Sequence, residues 1–186
     1  MKRDDNKKRG VKVNLNGKRI ALCLTGSVAI IEAPNLAREL RKKYMADVQC
    51  FMTENAVKHG ITPEIMKLMT KKPVITELTG FTEHMMDFDL VVVYPATFNT
   101  INKIANGIAD NAVTSLCGAT APNKLFIVPT MNLKFYNNPI LKENLTKLKK
   151  IGVIILEPEI KEGVVKPTPI EEIIAQAIQI ISTSKE

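Results

Sequence analysis

The chain has 186 residues, 45% apolar and 24% charged, which suits one domain with its own core and argues against wholesale disorder. No apolar run reaches the roughly 18 residues of a membrane span, and the first residues lack the apolar stretch of a secretory signal, so neither a membrane protein nor an exported one is expected. The formal charge is +7, but residues 1–19 hold eight Lys/Arg against two Asp/Glu, while the other 167 residues hold 18 against 17. The basicity therefore belongs to a leader, residues 1–17, read as a solvated flexible terminus, and no nucleic-acid partner is expected. Three cysteines without a C-x-x-C motif, and two histidines 25 positions apart, exclude zinc spacing and point to a reducing, cytoplasmic setting.

In chain order, Lys18–Leu24 reads as a buried strand and Val28–Lys43 as a helix, with Pro34 tolerated near a helix start or at a kink. Ala46–Met52 is a second strand, followed by helical segments at Glu54–His59 and Pro63–Met69. Pro73–Glu77 is a weak strand. Asp89–Tyr94 is the clearest buried strand, with four β-formers in a row after an acidic start. Asn99–Ala119 is helical with a break near Gly107, and Lys124–Val128 is a strand. Asn138–Lys150 is a helix with Pro139 in its first turn. Val153–Leu156 is a strand, Pro158–Pro169 is irregular, and Ile170–Ile181 is an amphipathic helix. This alternation implies an α/β fold: a three-layer, flavodoxin-like (Rossmann-like) open parallel sheet with helices on both faces, over a single domain spanning 18–186.

Ligands of such sheets bind beyond the carboxyl ends of the strands. Those ends carry Thr25-Gly26-Ser27, Thr53, Pro95-Ala96-Thr97-Phe98-Asn99-Thr100 and Pro129-Thr130-Met131-Asn132: small hydroxyl and amide side chains around one crevice. Gly26-Ser27 opens a helix, where a phosphate is favoured and a plain cap is the simpler reading. The dinucleotide and P-loop fingerprints are absent, which favours a mononucleotide.

The stretch Pro95–Asn111 closely resembles the P-A-T-x-N-T-x-x-K-x-A-x-G-x-x-D-N/D motif of the homo-oligomeric FMN-containing cysteine decarboxylases. Pro129–Pro139 is similar to that family's P-x-M-N-x-x-M-W-x-N-P motif, with Phe135-Tyr136 where Met-Trp is usual. Thr25–Ala29 and Met52–Glu54 resemble its two other FMN loops, and the likeness runs from about residue 18 to 175. The family includes phosphopantothenoylcysteine decarboxylase of coenzyme A synthesis and the peptidyl-cysteine decarboxylases. The resemblance implies FMN as cofactor, with Gly26, Ser27, Val28 and Thr53 at its phosphate and ribityl end. Thr97, Asn99 and Thr100 would bond the flavin or its ribityl chain, or act only as helix caps, and Thr130 and Met131 would lie against the ring. It assigns Asn132 to the substrate carboxylate, which its side-chain N–H suits. It makes His84 the base, although the interval from His84 to Asp89 is three residues shorter than the family's H-x7-D spacing, and a surface position is the competing reading.

The flap motif A-C-G-D/E that is usual in the family's coenzyme A pathway members is missing. Glu157–Pro167 replaces it, shorter and without a cysteine. In the family, flavin oxidation of the thiol to a thioaldehyde makes loss of carbon dioxide easy, and in the coenzyme A pathway members alone the flap cysteine serves the later reduction of the ene-thiol. The resemblance therefore implies an enzyme, an FMN-dependent decarboxylase (lyase) of a small cysteine-ended substrate such as 4′-phosphopantothenoylcysteine, working as a homotrimer or assembly of trimers. The alternatives are a peptidyl-cysteine decarboxylase lacking the reductive half-reaction, an FMN-dependent oxidoreductase or electron-transfer flavoprotein, and a non-catalytic subunit of a mixed oligomer. With 186 residues, no fused synthetase domain is expected.

Overall fold

The computed structural model describes residues 15–58, 60–80 and 86–183. Its centre is a five-stranded parallel sheet of order β2-β1-β3-β4-β5. The strands are β1 (Arg19–Leu24), β2 (Asp47–Met52), β3 (Leu90–Ala96), β4 (Leu125–Pro129) and the short β5 (Ile154–Ile155). β1, β3 and β4 are apolar on both faces because helices cover both, and this is why they read as continuous apolar runs.

Successive strand residues serve opposite layers. Leu22, Leu24, Val92 and Tyr94 face one cluster with Leu36 and Leu40 of α1 (Ala33–Lys42), Met66 of α3 (Pro63–Thr70), and Ile173 and Ile180 of α8 (Ile170–Thr183). Cys23, Val91, Val93 and Ile127 face the other, with Ile101 of α4 (Phe98–Ala105), Leu116 of α5 (Ala112–Ala119), and Leu141 and Leu145 of α7 (Pro139–Lys150). Packing begins ahead of β1: Leu15, inside the segment read as leader, is buried and donates its N–H to the Tyr44 carbonyl at 2.8 Å.

Most boundaries match the sequence reading within one or two residues. The helix expected over 28–43 is a 3-10 turn (Val28–Glu32) followed by α1, with Pro34 in the first turn of α1. The break near Gly107 is real: α4 ends at Ala105, and Gly107 takes φ +68° before α5 begins. Three readings need correction. Pro73–Glu77 is not a strand; only Ile75 bridges to the sheet, through bonds to Cys50 and Met52. A four-residue helix, α6 (Leu133–Tyr136), precedes α7. The stretch read as irregular contains an antiparallel hairpin, β6 (Ile160–Lys161) with β7 (Val164–Val165). Its turn residues Glu162 and Gly163 both take positive φ, 53° and 74°, as a type I′ turn requires.

Candidate functional site

A cavity of about 650 Å³ lies beyond the carboxyl ends of β1, β2, β3 and β4. Its lining brings together Gly26, Ser27, Val28, Thr53, Thr97, Asn99, Thr100, Thr130, Met131 and Asn132, all the candidate residues except His84. That histidine, and His59, lie outside the described residues.

Hydroxyl chemistry builds the floor. The Thr25 hydroxyl donates to the Pro95 carbonyl at 2.6 Å and accepts from Thr97 N–H at 3.1 Å, locking the end of β1 to that of β3. Thr97 caps α4 through the Thr100 N–H at 3.4 Å, and the two hydroxyls lie 3.1 Å apart. Thr100 is buried. Thr97 and Thr100 are therefore caps first, while the exposed Asn99 offers its amide to the cavity. Thr53 caps the short helix α2 (Glu54–Lys58) through the Ala56 N–H, and Thr130 N–H bonds the Ala96 carbonyl at 2.9 Å, closing β4 onto β3.

Ser27 stands at the N-cap of the 3-10 turn but makes no side-chain cap bond; its hydroxyl is available to a ligand. Gly26 is glycine for space: a Cβ there would sit 2.8 Å from Asn55 Cβ and 3.0 Å from Asn55 O. Part of the lining is apolar. Phe98 and Phe135 pack with ring centroids 5.1 Å apart, Met131 lies beside them, and Phe135 and Val28 are 49% and 82% exposed. Three charged groups line the cavity. Glu54 pairs with Lys58, and Lys103 pairs with Asp110 at 2.5 Å, which holds the Asp110 carboxyl below its usual range. A lining that combines neutral donors with aromatic and apolar side chains fits a phosphorylated planar ring system.

Asn132 has two duties. Its Oδ1 accepts the Phe135 N–H at 3.0 Å and so caps α6. Among the described residues no protein acceptor takes its Nδ2, and Asn132 lines both this cavity and a second one of about 680 Å³. The second cavity shares Ser27, Val28, Thr130, Met131 and Asn132 with the first, and Gly163–Pro167 of the hairpin forms its outer wall. The two cavities thus meet along Thr130–Asn132.

A family model described as Flavoprotein matches residues 8–182. The chain belongs to the Flavoprotein family. The coenzyme A biosynthesis bifunctional protein CoaBC of Thermococcus kodakarensis is 46% identical to this flavoprotein over 173 residues, 89% of this chain and 42% of that protein. Epidermin decarboxylase of Staphylococcus epidermidis is 32% identical over 152 residues, 78% of this chain and 80% of that one. The solved structure of the FMN-dependent cysteine decarboxylase TvaF from thioviridamide biosynthesis superposes with a TM-score of 0.77 at 27% identity, covering 90% of this chain and 99% of that one. The flavoprotein spans about two fifths of the length of the CoaBC relatives it matches. The expected family, flavin cofactor, flavodoxin-like fold and kinship to decarboxylases are met. Among the described residues no helix is long and apolar enough to cross a membrane.

The sequence reading missed Phe98, Phe135, Asn55 and the Lys103–Asp110 pair as cavity residues. The last of these had a signal, since both lie inside the Pro95–Asn111 motif. Phe98 and Phe135 also lie inside the two motifs, but their pairing had no signal, because the rings meet only once β3 and β4 are adjacent.

Proposed function

We propose that this flavoprotein binds FMN in the first cavity and decarboxylates a small cysteine-ended substrate, such as 4′-phosphopantothenoylcysteine, held in the second. The observation that carries the reading is the meeting of the two cavities at Asn132, whose amide donor has no protein acceptor among the described residues and stands where a substrate carboxylate would reach the flavin. Gly26, Ser27, Val28 and Thr53 would hold the phosphate and ribityl end; Asn99, with Thr97 and Thr100, would bond the flavin edge; Thr130 and Met131 would lie against the ring. Bound FMN would supply a two-electron acceptor for oxidation of the substrate thiol, after which the carboxylate leaves readily as carbon dioxide. Asn132 orients that carboxylate, the hairpin excludes water, and His84 would take the thiol proton. We further place the protein in a homotrimeric assembly in a reducing, cytoplasmic setting, consistent with three free cysteines.

A second reading concerns where the reaction ends. Cys23, Cys50 and Cys117 are all buried in the sheet and helix core, and burial pushes the Cys50 thiol well up. No cysteine lines either cavity among the described residues. Without a thiol proton donor, the product is the ene-thiol. The test is incubation of the FMN-loaded protein with 4′-phosphopantothenoylcysteine in air, dioxygen being the oxidant that restores FMN when the ene-thiol is the product. Release of carbon dioxide with accumulating ene-thiol supports both readings. 4′-Phosphopantetheine as product would overturn the second, and no turnover, or a protein that takes up no FMN, would overturn the first. Turnover only after mixing with a cysteine-bearing relative would mark the chain as a subunit of a mixed enzyme.

A further inference from the structure

The hairpin that walls the second cavity has strands of two residues each, and such a ribbon is not stable alone. Ile160 and Val164 are 45% and 53% exposed, so its own burial adds little. Within the ribbon, Lys166 N–H bonds the Glu159 carbonyl at 2.8 Å, and Val165 packs on the α4–α7 side cluster. A further hold is at the root, where Leu156 N–H also bonds the Ile127 carbonyl at 3.0 Å. Glu157 accepts the Tyr136 hydroxyl on Oε2 and the Lys149 ammonium on Oε1. Tyr136 is buried, and the Lys142 ammonium lies 3.4 Å from its ring centroid.

Tyr136 belongs to the helix that Asn132 caps; its N–H bonds the Asn132 carbonyl at 3.0 Å. One phenol thus joins the two walls of the cavity, the segment bearing Asn132 and the base of the hairpin. Burial and the hydrogen bond to Glu157 push the Tyr136 phenol far up. Burial opposes ionisation of Glu157, but the bonds from Lys149 and Tyr136 outweigh it and hold that carboxyl below its usual range. Donor and acceptor therefore keep their roles across neutral pH. Two departures from the family pattern meet here: the covering segment is short, and tyrosine stands where tryptophan is usual, supplying the hydroxyl that fastens it.

We propose that Tyr136 and Glu157 are positioning residues that fix the β6–β7 hairpin as a preorganised outer wall of the second cavity, so that substrate affinity depends on them while the chemical step does not. The inference rests on the proposed function for its kinetic part. A preformed wall removes the ordering cost that a loose flap would impose at binding.

The test compares wild type, Tyr136→Phe, Glu157→Ala and Glu157→Gln, all loaded with FMN. Hydrogen exchange at the 160–166 amides should accelerate about tenfold in Tyr136→Phe and Glu157→Ala, the scale of losing a half-exposed, charge-assisted bond. Exchange in the central strands should not change. Glu157→Gln keeps a neutral acceptor and should rescue part of the protection. KM for 4′-phosphopantothenoylcysteine should rise about fivefold or more with kcat within about twofold, because only binding is affected. Unchanged exchange in Tyr136→Phe, or a fall in kcat at constant KM, overturns the inference. If wild type does not decarboxylate, the functional reading fails, and the exchange data still decide the tether.

Discussion

Asn132 offers the sharpest test of the site because its two duties separate chemically. Oδ1 caps α6 through the Phe135 N–H at 3.0 Å, while Nδ2 is left for the cavity. Asn132→Asp keeps the cap, since Asp and Asn cap helices about equally, so stability should change by less than about 0.5 kcal/mol. It deletes the donor and sets a carboxylate against the substrate's own. A hydrogen bond to a charged group contributes about 1.5–3 kcal/mol, and about 1.4 kcal/mol is tenfold. Loss of the donor alone thus lowers kcat/KM by about 10- to 100-fold, and charge repulsion lowers it further. Asn132→Ala loses the donor without adding the charge, but it also loses the cap, at about 1 kcal/mol of stability. The expected signature is therefore crossed: Asp is worse than Ala for activity and better for stability. Carbon dioxide release at saturating FMN, with urea unfolding of each variant, reads both. An Asp variant within threefold of wild-type kcat/KM, or one catalytically better than Ala, would refute the assignment.

Other consequences follow from single contacts. Gly26→Ala would drive a Cβ to 2.8 Å from Asn55 Cβ; FMN affinity, measured by fluorescence quenching, should fall tenfold or more, and unchanged affinity would show that the loop does not frame the cofactor. The Tyr94 hydroxyl is buried without a partner among the described residues, and burial, with Glu32 nearby, pushes its phenol up to about 12. Tyr94→Phe should therefore leave stability unchanged or raise it by up to about 1 kcal/mol, and a clear loss in urea unfolding would contradict this. Burial works against ionisation of Asp89, but the Lys18 ammonium at 2.5 Å and the Arg19 N–H at 2.8 Å outweigh it and lower its pKa from the ordinary value of 3.8. A depressed folded-state pKa gives stability that is present above that value and lost as pH falls through the folded one. Wild type should lose more stability between pH 5 and pH 2 than Asp89→Asn, and parallel profiles would exclude the pair as a contributor.

Legibility in the sequence followed burial. β1, β3 and β4 are covered on both faces, so their residues had to be apolar in succession, and the pattern exposed them. The hairpin of β6 and β7 is mostly exposed, so no period marks it. Its one cue was Glu162-Gly163 between Ile160-Lys161 and Val164-Val165, an acidic residue and glycine in a two-residue turn. Ile75 pairs with the sheet at a single bridge, too little to impose alternation. Strand ends could be located from topology alone, which is why the polar cavity residues were found. The Phe98–Phe135 wall and the Tyr136–Glu157 tether join residues 37 and 21 positions apart and arise only from the fold.

The topology also explains why both cavities converge on one asparagine. With strand order β2-β1-β3-β4-β5, the chain moves outward from β1 to β2, then crosses back to β3 and continues to the other edge, so the connections leaving β1 and β3 run to opposite faces and open a crevice between them. Thr25 and Thr97 tie the mouth of that crevice at 3.1 Å, which keeps it from widening. β4 is the next strand out, and its end is tied to β3 by Thr130 N–H. The two residues after that tie, Met131 and Asn132, must therefore stand at the rim, with the crevice on one side and the return of the chain from β5 on the other. The hairpin leaves β5 on that second side. An amide placed there meets a ligand in the crevice and a ligand under the hairpin together, without a mobile loop having to bring them into register.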